Sequence, residues 1–305
     1  MRMFNLVLVM LLSVFHVYAQ EVGVVEIDEP IASDGVYLIY ATDGRIYEID
    51  QSKRKLIELS YQALENRVAI DLKIENDTTT DDILGKRSQI KSVQLTDKIL
   101  REEIHQIKSN FELQKNREQN TASLKNAYVT NVESEAVAKN LFLTMRTDTK
   151  SRSQCFNRAH VWAWELNKRY IKGRKIQVGK IWLFFTKKYI RNYNYKWWFH
   201  IAPYITVNHD LRVLDRSFTD GPKGEREWTD RFIKSKQSCP EVFKYSDYRE
   251  HQMAEDCYVI KSSVFYWQPW QVKNVELQGE ERTEWLYGEL KAAYRNAISW
   301  FARVP

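Results

Sequence analysis

The chain has 305 residues, 44% of them hydrophobic and 13% aromatic, with a net charge of +6. That length suits one large domain or two small ones. Its Lys and Arg are scattered, with no glycine-arginine tract, zinc-finger spacing or basic zipper, which excludes a dedicated nucleic-acid binder and leaves acidic protein substrates or anionic cell surfaces as the fit for the positive balance.

The amino terminus reads as a signal peptide. Arg2 precedes an apolar run from Phe4 to Val14, and Val17-Tyr18-Ala19 puts a small residue at the cleavage position, so the cut is expected after Ala19. The run is shorter than the roughly 20 residues a spanning helix needs. Nothing later is apolar enough to insert, so residues 1–19 imply a secreted or periplasmic protein with no membrane insertion after cleavage.

Residues 20–120 are expected to form a small α+β unit. Gly35 to Tyr40 and Arg45 to Ile49 are β-rich runs on either side of Ala41-Thr42-Asp43-Gly44, and Asp-Gly there predicts a hairpin with positive φ at both turn positions. Asp50 is the expected cap of a helix over Ser52 to Leu64. Val68 to Ile74 and Ile90 to Leu95 alternate as strands, with a polar loop from Asn76 to Asp82 between them. From Asp97 to about Glu118 the spacing of Leu100, Ile104, Ile107 and Phe111 predicts a long amphipathic helix. Asn116 to Asn131 is polar and basic, the place for proteolytic nicking, with the domain joint at 121–131.

A second domain is expected over 132–305. Helices are predicted over Glu133 to Met145 and from Cys155 to about Tyr170, where Gly173 ends the pattern. Strands follow over Lys180 to Thr186, Trp197 to Val207, Leu211 to Leu214 and Val259 to Tyr266. The last helix, about Glu280 to Phe301, carries Leu286, Leu290, Ala293, Ala297 and Phe301 on one stripe, which reads as core or docking surface.

The chemistry begins with the three cysteines. Cys239 and Cys257 lie close in sequence, and in an exported chain a disulfide between them would add about 2–4 kcal/mol. Cys155 is left unpaired, which in an oxidising compartment means it is buried or used. With Ser153 as N-cap, Cys155 falls in the first turn of its helix, where free N–H groups and the dipole favour a thiolate and can hold an oxyanion. A small buried hydrophobe is the plainer account of such a cysteine.

His200, in the aromatic strand Trp197-Trp198-Phe199-His200-Ile201, has the fixed direction and partly dry setting of a general acid and base. His160 is nearer in sequence, but five helical positions turn it about 140° from Cys155. Asp215, after Val213-Leu214, is placed to fix the imidazole tautomer, against the plainer role of a turn residue. No CxxC or HExxH spacing exists, so neither metal nor organic cofactor is expected.

Three blocks, Gln154-Cys155-Phe156-Asn157-Arg158-Ala159-His160, Trp198-Phe199-His200-Ile201-Ala202 and Val213-Leu214-Asp215-Arg216-Ser217-Phe218, resemble the bacterial protein-glutaminases in order and approximate spacing. The resemblance covers about Leu141 to Trp228. It departs from the family's usual pattern at Gln154, where a glycine is usual, and at Arg216, where a proline is usual. It implies an α+β chain: a papain/transglutaminase-like catalytic domain preceded by a small α+β inhibitory pro-domain.

The implied site is a Cys155-His200-Asp215 triad that deamidates protein-bound glutamine through a thioester. Gln154, Trp197 and Trp198 are candidates for substrate binding; Trp182 is a further candidate wall, and core packing is the better account of at least two of the three tryptophans. The implied partners are proteins or peptides with exposed glutamine and an activating protease. Three alternatives stay open: a transglutaminase or a cysteine peptidase using the same triad, or a secreted binding protein in which Cys155 is simply buried.

Overall fold

A computed structural model describes residues 20–30, 35–75, 88–100, 129–150, 153–195, 197–273, 284–299 and 301–305. The expected signal peptide, the expected polar loop at 76–82, nearly all of the predicted long amphipathic helix and most of the expected linker lie outside them.

The chain is α+β, built on two antiparallel sheets. The first has the order β3-β2-β1-β4-β5, from strands β1 (Gln20–Asp28), β2 (Val36–Ala41), β3 (Ile46–Asp50), β4 (Val68–Ile74) and β5 (Ile90–Ile99). Helix α1 (Arg54–Asn66) packs across β1, β4 and β5 and buries Ile57 and Ala63 among Val22, Val24, Ile70 and Leu72. The strand predicted over 90–95 runs on to Ile99 and so occupies the start of the predicted long helix at Asp97. Strand β1 was not anticipated; its run Val22-Gly23-Val24-Val25 is buried on both faces, which hides alternation.

Two local expectations in this unit change. Of the two turn positions, Gly44 has positive φ, at 79°, and Asp43 does not. Gly44 N–H donates to Ala41 C=O at 2.9 Å and Ala41 N–H to Arg45 C=O at 3.1 Å, a longer loop with glycine at its left-handed position rather than a two-residue turn. Asp50 does not cap α1. Its Oδ1 accepts from the N–H and hydroxyl of Ser52, at 2.8 and 2.6 Å, which turns the chain before the helix, and the N-cap is Lys53.

The second sheet has the order β11-β10-β9-β12, from β9 (Gly179–Phe185), β10 (Phe199–Val207), β11 (Asp210–Val213) and β12 (Cys257–Ser263). The short strand β6 (Asn131–Val132) runs parallel to the end of β10. Helix α2 (Glu135–Thr144) is capped by Ser134, whose hydroxyl accepts from Val137 N–H. Helix α3 (Cys155–Asn167) lies on β9 and β10, followed by the small hairpin β7 (Tyr170–Ile171) and β8 (Arg174–Lys175). Every residue of β9 is buried, so it carries sheet partners on both edges and packing on both faces.

Helices α4 (Lys187–Tyr193), α5 (Glu225–Thr229), α6 (Tyr245–Glu250) and α7 (Pro269–Lys273) fill the crossings. Helix α8 (Tyr287–Ala297), the described part of the predicted last helix, packs on α3 and buries Leu290, Ala293 and Ala297. Cys239 and Cys257 are disulfide-bonded, tying the loop after α5 to the start of β12.

The two halves share a core. Val25, Val36, Leu38, Tyr40 and Ile46 of the first sheet are buried in one cluster with Cys155, Phe156, Trp267 and Tyr294. At its rim Arg45 donates to Asn296 Oδ1 at 3.0 Å, and Asn296 donates back to Asp43 C=O at 2.9 Å. Gly44 lies so close that a Cβ there would overlap the Trp267 ring. Gly44→Ala therefore adds a left-handed strain of about 1–2 kcal/mol to a clash between the halves. Thermal unfolding should show a lower Tm and looser docking of the hairpin; an unchanged Tm would refute this placement.

Candidate active site

Helix α3 begins at the first residue able to leave the extended chain behind it. Gln154 has φ −65° and ψ 140°, and its C=O accepts from Asn157 N–H at 3.1 Å, so Gln154 is the N-cap and Cys155 the first helical residue. Ser153 is not the cap: its hydroxyl donates to Lys150 C=O at 2.6 Å. Cys155 still stands at the helix start, where the backbone N–H groups of Phe156 and of Ile201 on β10 favour a charged sulfur.

His200 precedes Ile201 on β10. Its Nε2 lies 2.7 Å from Asp215 Oδ2. Asp215, two residues past β11, is held by Trp228 Nε1–H at 2.9 Å on the same Oδ2 and by Ser217 N–H at 3.3 Å on Oδ1. Its backbone C=O accepts from Phe218 and Thr219, closing the turn that aims the carboxylate inward. A carboxylate facing Nε2 requires a proton there, which leaves Nδ1 as the basic nitrogen of neutral imidazole. Among the described residues His200 Nδ1 is buried with no hydrogen-bond partner.

Phe232, Phe218 and Trp228 surround the imidazole with ring centroids at 4.6, 5.1 and 5.6 Å. Phe232 is fixed in turn by its C=O, which accepts from Tyr189 hydroxyl at 2.7 Å. Sequence reasoning missed Phe218, Trp228 and Phe232 as parts of the site. Nothing in their spacing marks them, because the loop after Asp215 brings them back over β10.

Cys155, His200 and Asp215 are each no more than 1% exposed. Burial pushes the Cys155 thiol up to about 12, against the pull of Arg158 and the two N–H donors. That reverses the thiolate expected from the helix dipole alone: desolvation by burial outweighs it. Gln154 takes part in that burial. Its Oε1 accepts from Ile46 N–H at 3.1 Å and its Nε2 donates to Ile46 C=O at 2.9 Å.

The tryptophans differ from Gln154. Trp198 and Trp182 pack against Phe184 and Phe199, Trp182 also donating to Ser262 Oγ at 2.8 Å, and Trp197 is buried in the same core. His160 points elsewhere, with Nδ1 2.6 Å from Lys180 Nζ. Arg216 lies over the Phe142 ring, away from the imidazole. Among the described residues no group of three or more His, Cys, Asp or Glu could hold a metal ion.

Residues 131–232, which run from β6 through α3, β9, β10 and Asp215 to Phe232, match the family described as glutaminase. No curated protein matches the chain. Two solved structures are similar to it: a mutant of pro-protein-glutaminase, 14% identical with TM-score 0.45 over 92% of each chain, and pro-protein-glutaminase, 13% identical with TM-score 0.45 over 90% of this chain and 91% of the other.

A thiol lifted to about 12 holds about 10⁻⁴ of its population as thiolate at pH 8, against roughly a quarter for an ordinary cysteine. Iodoacetamide at pH 8 should alkylate Cys155 of the intact chain at least 100-fold more slowly than free cysteine. Labelling at the free rate would show that the cover is absent in solution.

Proposed function

We propose that the protein is a secreted protein-glutamine deamidase, held latent by its amino-terminal sheet, that works through Cys155, His200 and Asp215. The observation that carries this reading is the buried His200–Asp215 pair at 2.7 Å, with Cys155 at the start of the helix that packs on the strand holding His200. With Nε2–H fixed on Asp215, Nδ1 is the nitrogen left to take the thiol proton.

Cys155 sulfur then attacks the γ-carboxamide carbon of a glutamine side chain. The oxygen of the tetrahedral intermediate has the N–H groups at the start of α3 as donors. His200 protonates the departing nitrogen, which leaves as ammonia, and the acyl group remains on Cys155 as a thioester. His200 next takes a proton from water, whose oxygen attacks the thioester carbon; glutamate leaves and the thiol recovers its proton. Asp215 steadies the imidazolium in both steps, and Trp228 keeps Asp215 Oδ2 in place.

Latency follows from the same contacts. With the hairpin β2–β3 docked, Cys155 is neutral and has no route to a protein substrate. Cutting the joint expected at 121–131 by a protease would let the first sheet leave. The disulfide between Cys239 and Cys257 supports export to an oxidising compartment. Among the described residues no helix is long and apolar enough to cross a membrane.

Ammonia release from a glutamine-rich protein tests the reading, with the joint cut by limited proteolysis and the products weighed by mass spectrometry. Cys155→Ala should abolish release, and the wild type should add about 1 Da per glutamine converted. Cut or cross-linked chains without ammonia would move the assignment to a peptidase or a transglutaminase. In the same assay Trp228→Phe, which keeps the ring and loses the N–H, should lower kcat by about 10–100-fold, the loss of one buried hydrogen bond to a charged group at about 1.4 kcal/mol per factor of ten. An unchanged kcat would remove Trp228 from the site.

A further inference from the structure

We propose that the groove between helix α2 and the hairpin β7–β8 is a second substrate-binding site, which holds an acidic segment of the target protein at a distance from the glutamine being converted. This rests on the deamidase reading above.

Helix α2 turns Val137, Leu141 and Thr144 to one side, as steps of four and three residues along a helix require. That side faces the end of α3 and strand β7, and a groove of about 510 Å³ opens between them. Leu141 and Ile171 give it an apolar floor, continuous with the core under α2. Arg169 sets its width: Nη2 donates to Thr144 C=O at 2.9 Å and ties α2 to the end of α3. A hollow of this size suits side chains.

The rim is cationic. The segment 168–175 carries Lys168, Arg169, Lys172, Arg174 and Lys175 and no acidic residue, in a chain whose whole surplus is +6. Lys168 and Arg169 line the groove itself. In the hairpin Arg174 stands opposite Ile171 and Lys175 opposite Tyr170, and both cations are exposed. Among the described residues Arg174 and Lys175 make no ion pair. Lys172 pairs with Glu133 at 2.6 Å, but both side chains are more than half exposed, where water weakens the pair. Tyr170, which lines the groove, is 67% exposed.

Charge and shape together name the ligand class. Cations around an apolar hollow fit a stretch of aspartates and glutamates with an apolar side chain among them. A lipid surface would call for a protruding apolar face instead. Helix length then sets where that stretch lies. Cys155 opens α3 and Lys168 follows its last residue, so the two are about 20 Å apart at ~1.5 Å per residue. An extended chain covers that span in no fewer than about six residues. The groove therefore selects a target by a feature remote from its glutamine, and a short peptide cannot reach both places.

The groove floor belongs to a different core cluster from Cys155 and the hairpin β2–β3, so binding needs no cut in the joint. The test uses the intact chain and a fluorescent peptide of eight glutamates around one leucine, followed by anisotropy at low salt. The peptide should bind saturably, the same peptide with serine for every glutamate should not, and added salt should release it. Arg174→Gln with Lys175→Gln, both exposed, should weaken binding at least fivefold, and Tyr170→Ala at least threefold. No saturable binding, or equal affinity in the double variant, would overturn the proposal. So would capture of the chain by phosphatidylglycerol vesicles when the peptide does not bind, since the surface then serves a membrane. With the joint nicked, excess peptide should raise KM for casein, an acidic protein, at least threefold and leave KM for a glutamine dipeptide unchanged. Equal effects on both would put the peptide in the catalytic cleft and refute a second site. Absence of Cys155-dependent ammonia from either substrate is a separate outcome: it defeats the deamidase reading, and the groove's claim to a substrate falls with it even where the peptide binds.

Discussion

The buried contact between His200 Nε2 and Asp215 Oδ2 sets the terms for the rest of the second domain. A carboxylate with no exposure to water is costly unless its oxygens are met. Here the imidazole, the Trp228 indole N–H and the Ser217 N–H meet them. That demand explains why the chain after β11 turns sharply at Asp215 and why α5 folds back to deliver Trp228. It also explains the aromatic wall: Phe218, Trp228 and Phe232 exclude water from the pair, and their places are set by the same turn. Removing water strengthens the bond and fixes the tautomer, so the packing and the chemistry have one cause.

Around that pair, burial acts on the Cys155 thiol. The helix start and the two N–H donors favour a charged sulfur, while burial opposes it, and burial wins by pushing the thiol to about 12. Part of that burial comes from the first sheet, whose Tyr40 and Ile46 share the core with Cys155. Packing of the first sheet on the second therefore adds to the desolvation that pushes the thiol up. The polar rim of Asp43, Arg45 and Asn296 and the amides of Gln154 and Asn157 hold the hairpin by its backbone and turn, while its apolar face supplies the cover.

The strands of the second sheet were legible because their cause is local. Lys180 to Thr186 and Trp197 to Val207 are β-branched and aromatic runs, and β9 and β10 fall within two residues of them at each end. The start of α3 at Cys155 was legible for a similar reason. Where a local rule had two solutions, the wrong one could be chosen. Asp50 and Ser153 are both good caps by type, yet each makes a different hydrogen bond, because the backbone geometry before the helix decides which N–H lies within reach. Strand β1 escaped because burial on both faces removes the alternation that marks a strand. Trp182 and Trp198 escaped any firm assignment because an aromatic residue in a strand reads alike whether it faces the core or a cleft.

The sequence by itself determined the elements, the one unpaired cysteine, and the order of Cys155, His200 and Asp215 along the chain, since these depend on residue type and spacing. Only the tertiary structure decided that Asp215 faces Nε2, that Trp228 and Phe232 enclose the imidazole, and that Gln154 bonds to Ile46 across 108 residues of chain. It decided the state of the thiol as well. The helix dipole is a property of one segment and can be read from it, whereas desolvation is a sum over every atom that packs around the sulfur, including those of a strand from the other sheet.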